Sequence, residues 1–75
     1  MIEVRVTYPF DGSFARDTAA HHAAGRISDF AGCGFGCRDL GWVCKSEFEA
    51  QKIRRALDRI GMHATVTPAT QGDGE

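Results

Sequence analysis

Three cysteines and three histidines are the residues of this chain best equipped for chemistry. Cys33 and Cys37 are separated by three residues, a spacing that a tetrahedral metal site can use, with Cys44 and His21, His22 or His63 as further ligands. Structural zinc sites repeat such a close pair, and no second close pair follows here. Cys44 alternates with Trp42 and Leu40, the pattern of a core residue. A Cys–His nucleophile would need a thiol beside a histidine, and nothing in the spacing puts one there. His21 and His22 are neighbours in a predicted helix and point about 100° apart, a poor geometry for one shared ion. They read as solvated helix residues, with Asp17, one turn earlier, pairing with His21 on the surface. No metal, cofactor or catalytic residue is expected, and an enzyme is not.

The densest unusual stretch is Gly32-Cys33-Gly34-Phe35-Gly36-Cys37-Arg38-Asp39, with three glycines in five positions. Glycine at that density marks a hairpin turn, a bulge or a close backbone approach. Two readings remain open. In one, Phe35, Arg38 and Asp39 are anchors of a protein interface, where aromatic and arginine residues dominate. In the other, Phe35 tucks over the sheet end and Arg38 pairs with Asp39. Cys33 and Cys37 are expected at the surface, where oxidation would join two chains. Gly34-Phe35-Gly36 resembles the start of the RNA-recognition signature but departs from it at Cys37-Arg38-Asp39. The outward residues Glu3, Arg5, Thr7, Val43, Thr65 and Thr67 offer no aromatic platform for bases, so direct nucleic-acid binding is not expected.

A second candidate surface is the basic stripe Lys52, Arg55 and Arg59, read either as partner-binding or as a solvated helix face. Across the whole chain nine Lys and Arg balance ten Asp and Glu, which gives no general pull toward nucleic acid or anionic lipid.

The elements that must position these residues follow from periodicity. Ile2, Val4, Val6 and Tyr8 alternate with polar residues, a half-buried strand closed by Pro9 to Gly12. Ser13 is the expected N-cap of a helix running to about Ala24, with Phe14 its one large apolar residue and Gly25 its stop. Ile27 to about Gly32 reads as the second strand, and Leu40, Trp42 and Cys44 mark the third. Ser46-Glu47-Phe48-Glu49 matches a capping box, and Ala50, Ile53, Leu57 and Ile60 share one face of the helix it opens. Gly61 ends that helix. Met62, Ala64 and Val66 form the fourth strand, which Pro68 ends, and 69–75 read as a mobile tail. Strand, helix, strand, strand, helix, strand predicts a single α+β domain over 1–68 of ferredoxin-like β-α-β-β-α-β type, a four-stranded antiparallel sheet with both helices on one face. Many unrelated functions share that fold.

The odd cysteine count, the absence of a basic-then-apolar leader pattern and the lack of a run of roughly 20 apolar residues lead us to expect a cytoplasmic protein without a membrane partner. A short ferredoxin-like chain without chemistry, rich in Ala and Arg as in high-GC bacteria and their prophages, resembles the small phage-encoded anti-CRISPR proteins. The resemblance spans the chain in size and topology, with Cys33-Gly34-Phe35-Gly36-Cys37-Arg38-Asp39 as its local pattern. It implies a non-enzymatic inhibitor that docks on a Cas effector subunit, that of a type I surveillance complex, and blocks target DNA binding; the mostly polar outward residues favour a monomer or weak homodimer. The near-neutral charge favours steric occlusion over DNA mimicry. The competing expectation is a regulatory, ligand-binding or dimerisation module. An acylphosphatase would need an arginine and a partner asparagine, and the chain contains no Asn.

Overall fold

The computed structural model describes residues 1–68; the expected tail, 69–75, lies outside the described residues. The elements are β1 (Ile2–Pro9), α1 (Ala15–Ala24), β2 (Phe30–Gly34), β3 (Cys37–Cys44), α2 (Glu47–Arg59) and β4 (Ala64–Pro68). The sheet order is β2-β3-β1-β4, with every neighbouring pair antiparallel. That is the ferredoxin-like arrangement expected from the sequence. Among the described residues no helix is long and apolar enough to cross a membrane.

The alternation in β1 works as read. Val4, Val6 and Tyr8 are buried on the helix side, opposite Trp42, Leu40 and Arg38 of β3. Ala20 from α1 and Ala50, Ile53 and Leu57 from α2 close the core over them. Trp42 is fully buried at its centre; its indole Nε1 donates to the Arg26 carbonyl at 3.0 Å, and the His21 ring stands edge-on to it.

The capping box forms, with one change. The Ser46 hydroxyl accepts from Glu49 N at 3.2 Å, while Glu49 Oε1 reaches back to Lys45 N at 3.3 Å, one residue before the cap. Ile60 is corrected: it is 45% exposed, and the buried face ends at Leu57 and resumes at Met62, whose N–H bonds back to the Leu57 carbonyl. Helix α1 begins later than expected. The Ser13 cap is corrected: the N-cap is Phe14, without a side-chain cap bond, while the Ser13 hydroxyl accepts from Ala15 N in the turn before it, and Phe14 is half exposed, tilted against Phe10.

The second strand starts at Phe30, three residues beyond Ile27, which is exposed. The cause is Asp29. Its carboxylate takes the Val43 N–H at 2.6 Å and its own N–H donates to the Gly41 carbonyl, so it ends the ladder before Ile27 can join. Arg26 braces the same corner through Asp29 and the Val43 carbonyl.

The open face is also corrected: it carries an aromatic ring. Phe30 pairs with Gly41 across the strands, and the far end of its ring occupies the space a Cβ at Gly41 would fill, with the Arg5 guanidinium 5.1 Å from the ring centroid. Gly41→Ala is therefore expected to push Phe30 into solvent at a cost of about 1 kcal/mol, the worth of one good cross-strand pair. The check is a melt together with proton NMR: the melting point falls by roughly 5 °C, and ring-current shifts on the Arg5 side chain vanish. Unchanged Arg5 shifts would refute the stacking.

Candidate functional site

The six residues singled out from sequence fall into two separate places. Phe35, Arg38 and Asp39 belong to the β2–β3 hairpin; Lys52, Arg55 and Arg59 lie along α2.

The hairpin turn has two residues, Phe35 and Gly36, between Gly34 and Cys37. Both have positive φ, 52° and 77°, the signature of a type I′ turn. That turn suits strand twist, but its first position favours Asn, Asp or Gly, and Phe35 is the one non-glycine residue in the left-handed region among those described. Its side chain packs on nothing and is fully exposed. The tip is nonetheless firmly backed: Phe10 N donates to the Gly36 carbonyl at 2.9 Å, and Pro9 stands opposite Cys37. An aromatic side chain is thus held in solvent by a strained, braced turn. This excludes the reading in which Phe35 tucks over the sheet.

Arg38 is corrected. It shares the parity of Leu40, Trp42 and Cys44, so it points to the helix side and not outward. Its guanidinium meets the Asp17 carboxylate at 2.7 and 2.9 Å, covers the Phe14 ring, and donates to Cys33 Sγ at 3.2 Å. Asp17 is corrected with it: it is buried and does not pair with His21 on the surface. Its other oxygen accepts from the Tyr8 hydroxyl, which completes a chain from Tyr8 through Asp17 to Arg38. Burial alone would raise the Asp17 carboxyl, but the bonds from Arg38 and Tyr8 outweigh it and hold the group below its ordinary value. Burial and the neighbouring carboxylate push the Tyr8 phenol well above its usual value, and the Asp17 contact holds Arg38 even more firmly charged than an ordinary arginine. Arg38 is a structural cation. Asp39 faces the open side, where Thr7 Oγ1 donates to it at 2.7 Å.

Of the cysteines, Cys33 is exposed, Cys37 half-buried and Cys44 buried. Burial, then the nearby Glu49, raises the Cys44 thiol, which keeps it a neutral core residue. His21 is half-buried, its Nε2 3.2 Å from Ser28 Oγ, so it is not a freely solvated helix residue.

On α2, Lys52, Arg55 and Arg59 are exposed and form no ion pair among the described residues; Arg54, on a different face, takes Asp58. They line a groove of about 650 Å³ between the two helices, together with Phe48, which is 80% exposed. Phe48 is a residue the sequence reading passed over. Its signal was present: 48, 52, 55 and 59 fall on one line of a 3.6-residue helix. Another hollow, at the tip end of the sheet, is lined in part by Tyr8, Arg16, Met62 and His63, but the Tyr8 hydroxyl is already committed to Asp17. Among the described residues no three His, Cys, Asp or Glu side chains converge. Comparison with protein-family models, curated proteins and solved structures finds no match to this chain.

Proposed function

We propose that this chain is a non-enzymatic protein-binding inhibitor that docks through the tip of its β2–β3 hairpin, with Phe35 as the anchor. One observation supports this above the rest. A fully exposed phenylalanine sits in left-handed backbone at a turn position where Asn or Gly would be relaxed. Such strain costs of order 1 kcal/mol and is kept where a side chain is needed for contact. A rigid aromatic on a braced turn loses little entropy on binding, which is what an interface anchor requires. The family resemblance supplies the partner, a subunit of a type I CRISPR surveillance complex, and the mode, occlusion of target DNA.

The test is size exclusion of the chain with purified effector complexes, followed by a target-DNA shift assay. Co-elution and a lost shift are expected. Phe35→Asn should weaken binding about 30-fold, the effect of losing roughly 2 kcal/mol at an anchor. The variant's melting point should rise slightly as the turn relaxes. Absence of co-elution with effectors of several subtypes would remove the inhibitor reading, and unchanged affinity in Phe35→Asn would remove the tip as its anchor.

A regulatory dimerisation module is the second reading, favoured by β2. All five residues of this edge strand are exposed, and it carries no charge or proline to block pairing. Concentration-dependent dimers in sedimentation, lost when Ala31→Pro removes an edge-facing N–H and blocks the edge, would support it over the first.

A further inference from the structure

The helix side of the molecule carries a second surface. Helix α1 presents only Ala23 and Ala24 to the groove between the helices, so no large side chain from that wall fills it. Ile53 and Ala56 of α2 complete an apolar floor that is buried or half-buried. Lys52, Arg55 and Arg59 stand exposed along the rim, and Phe48 heads their line at the opposite end of α2 from Arg59. The three cations span eight residues of helix, about 10 Å from first to last. Glu47, at the Phe48 end, is the acidic residue of the lining, so charge along the groove is graded rather than uniform.

We propose that this groove is a docking site for an acidic amphipathic helix of a protein partner. Its apolar residues would pack on the alanine floor and against Phe48, and its carboxylates would face Lys52, Arg55 and Arg59. Charge complementarity sets the sign of the occupant, and the apolar floor sets its amphipathic character. A nucleic-acid strand would match the rim but would lay phosphates over alanine and isoleucine, and one exposed phenylalanine is a poor track for successive bases. The grading of charge also sets direction. The positive N-terminal end of the incoming helix belongs beside Glu47, so it runs parallel to α2. Helix-in-groove binding of this kind reads anchors at spacings of three and four, which is the spacing of the rim.

The site is distinct from the hairpin tip: Phe48 follows the end of β3 that pairs with Ile2, whereas Phe35 lies at the end that pairs with Pro9. The two proposals therefore fail separately.

The experiment uses the whole chain and fluorescence anisotropy with a labelled helical peptide of about 16 residues, leucine on one face and glutamate on the flank. Saturable binding in the micromolar range is expected, weakening with salt. K52E/R55E/R59E, all solvent-facing, should lose it by more than tenfold, as should Phe48→Ala, with far-UV circular dichroism unchanged in both. The same peptide with lysine in place of glutamate should not bind. Phe35→Asn should bind the acidic peptide as the parent does.

Each of the following results overturns the proposal. One is no saturation by about 1 mM peptide, weaker than any useful docking. Another is full retention of binding in Phe48→Ala, or equal binding of a duplex DNA of the same charge, either of which reduces the groove to a polyanion patch. A third is a homodimer that K52E/R55E/R59E abolishes, which makes a second copy the occupant. The last is peptide binding that appears only when residues 69–75 are removed, which makes the chain's own end the occupant.

Discussion

Replacing Trp42 with alanine is expected to cost about 3–5 kcal/mol, the range for emptying a fully buried aromatic site. A chain of this size has a net stability near the low end of the usual 5–15 kcal/mol. Trp42→Ala should therefore keep little net stability at 25 °C and melt far below the parent. The residue holds three elements at once. It stands opposite Val4 in the central strand pair, its indole ties the Arg26 loop through the carbonyl, and the His21 ring of α1 leans on it. Trp42→Phe keeps the ring but leaves the Arg26 carbonyl without its donor, at about 1–2 kcal/mol. Circular dichroism and amide dispersion in a two-dimensional NMR spectrum give the answer. A cooperative melt of Trp42→Ala within 5 °C of the parent would contradict the packing described. The parent's own fluorescence offers a check, since Trp42 is the sole tryptophan and its emission should be that of a dry indole.

Asp17→Ala is the second large effect expected, about 2–3 kcal/mol. The figure combines a stranded buried hydroxyl at Tyr8 with the loss of charged hydrogen bonds. In a domain this small that lowers the melting point by roughly 10–20 °C. Asp17→Ala and Arg38→Ala should be strongly non-additive, because each removes the same contact. The pH dependence has two arms. Asp17 titrates below its unfolded value of 3.8, so its contribution is present above that pH and is lost as pH falls through the folded value. Asp29, lowered chiefly by the Val43 N–H and then by Arg26, adds to the same acid arm. Tyr8 titrates above its unfolded value of 10.0, so its contribution is intact below pH 10.0 and fades as pH rises beyond it. Denaturant midpoints from pH 2 to pH 11 should form a plateau with a shoulder at each end. Tyr8→Phe should shrink the alkaline shoulder to what the raised Cys44 thiol contributes, and should leave an acid arm carried by the Arg38 contact of Asp17 and by Asp29. An alkaline shoulder of unchanged size in Tyr8→Phe would place its cause elsewhere.

Local patterns carried most of the fold. Strand alternation in β1, the capping box of α2 and the glycine stops act over a few residues, so they can be read from the chain. What escaped reading depended on distant residues. Nothing near Ile27 announces that Asp29 will take the Val43 amide and delay the strand, and nothing near Phe30 announces a ring lying on Gly41 eleven positions on. The orientation of Arg38 was legible: its even spacing from Leu40, Trp42 and Cys44 places it on the helix side, where, half-buried, it meets the Asp17 carboxylate. Phe35 was legible because glycine spacing exposes a turn, whereas its left-handed backbone, on which the docking proposal rests, has no sequence signature beyond Gly36.

The register of β1 has a consequence for how the molecule can be handled and joined to others. Ile2 lies opposite both Cys44 and Pro68, so the described chain enters and leaves the sheet at one pole. Pro9 and the Phe35 turn occupy the other pole, the length of an eight-residue strand away, about 25 Å. A fluorescent protein, an affinity handle or a neighbouring domain joined ahead of Ile2 therefore departs from the pole opposite Phe35. The exposed phenylalanine is left clear at the far pole of the sheet.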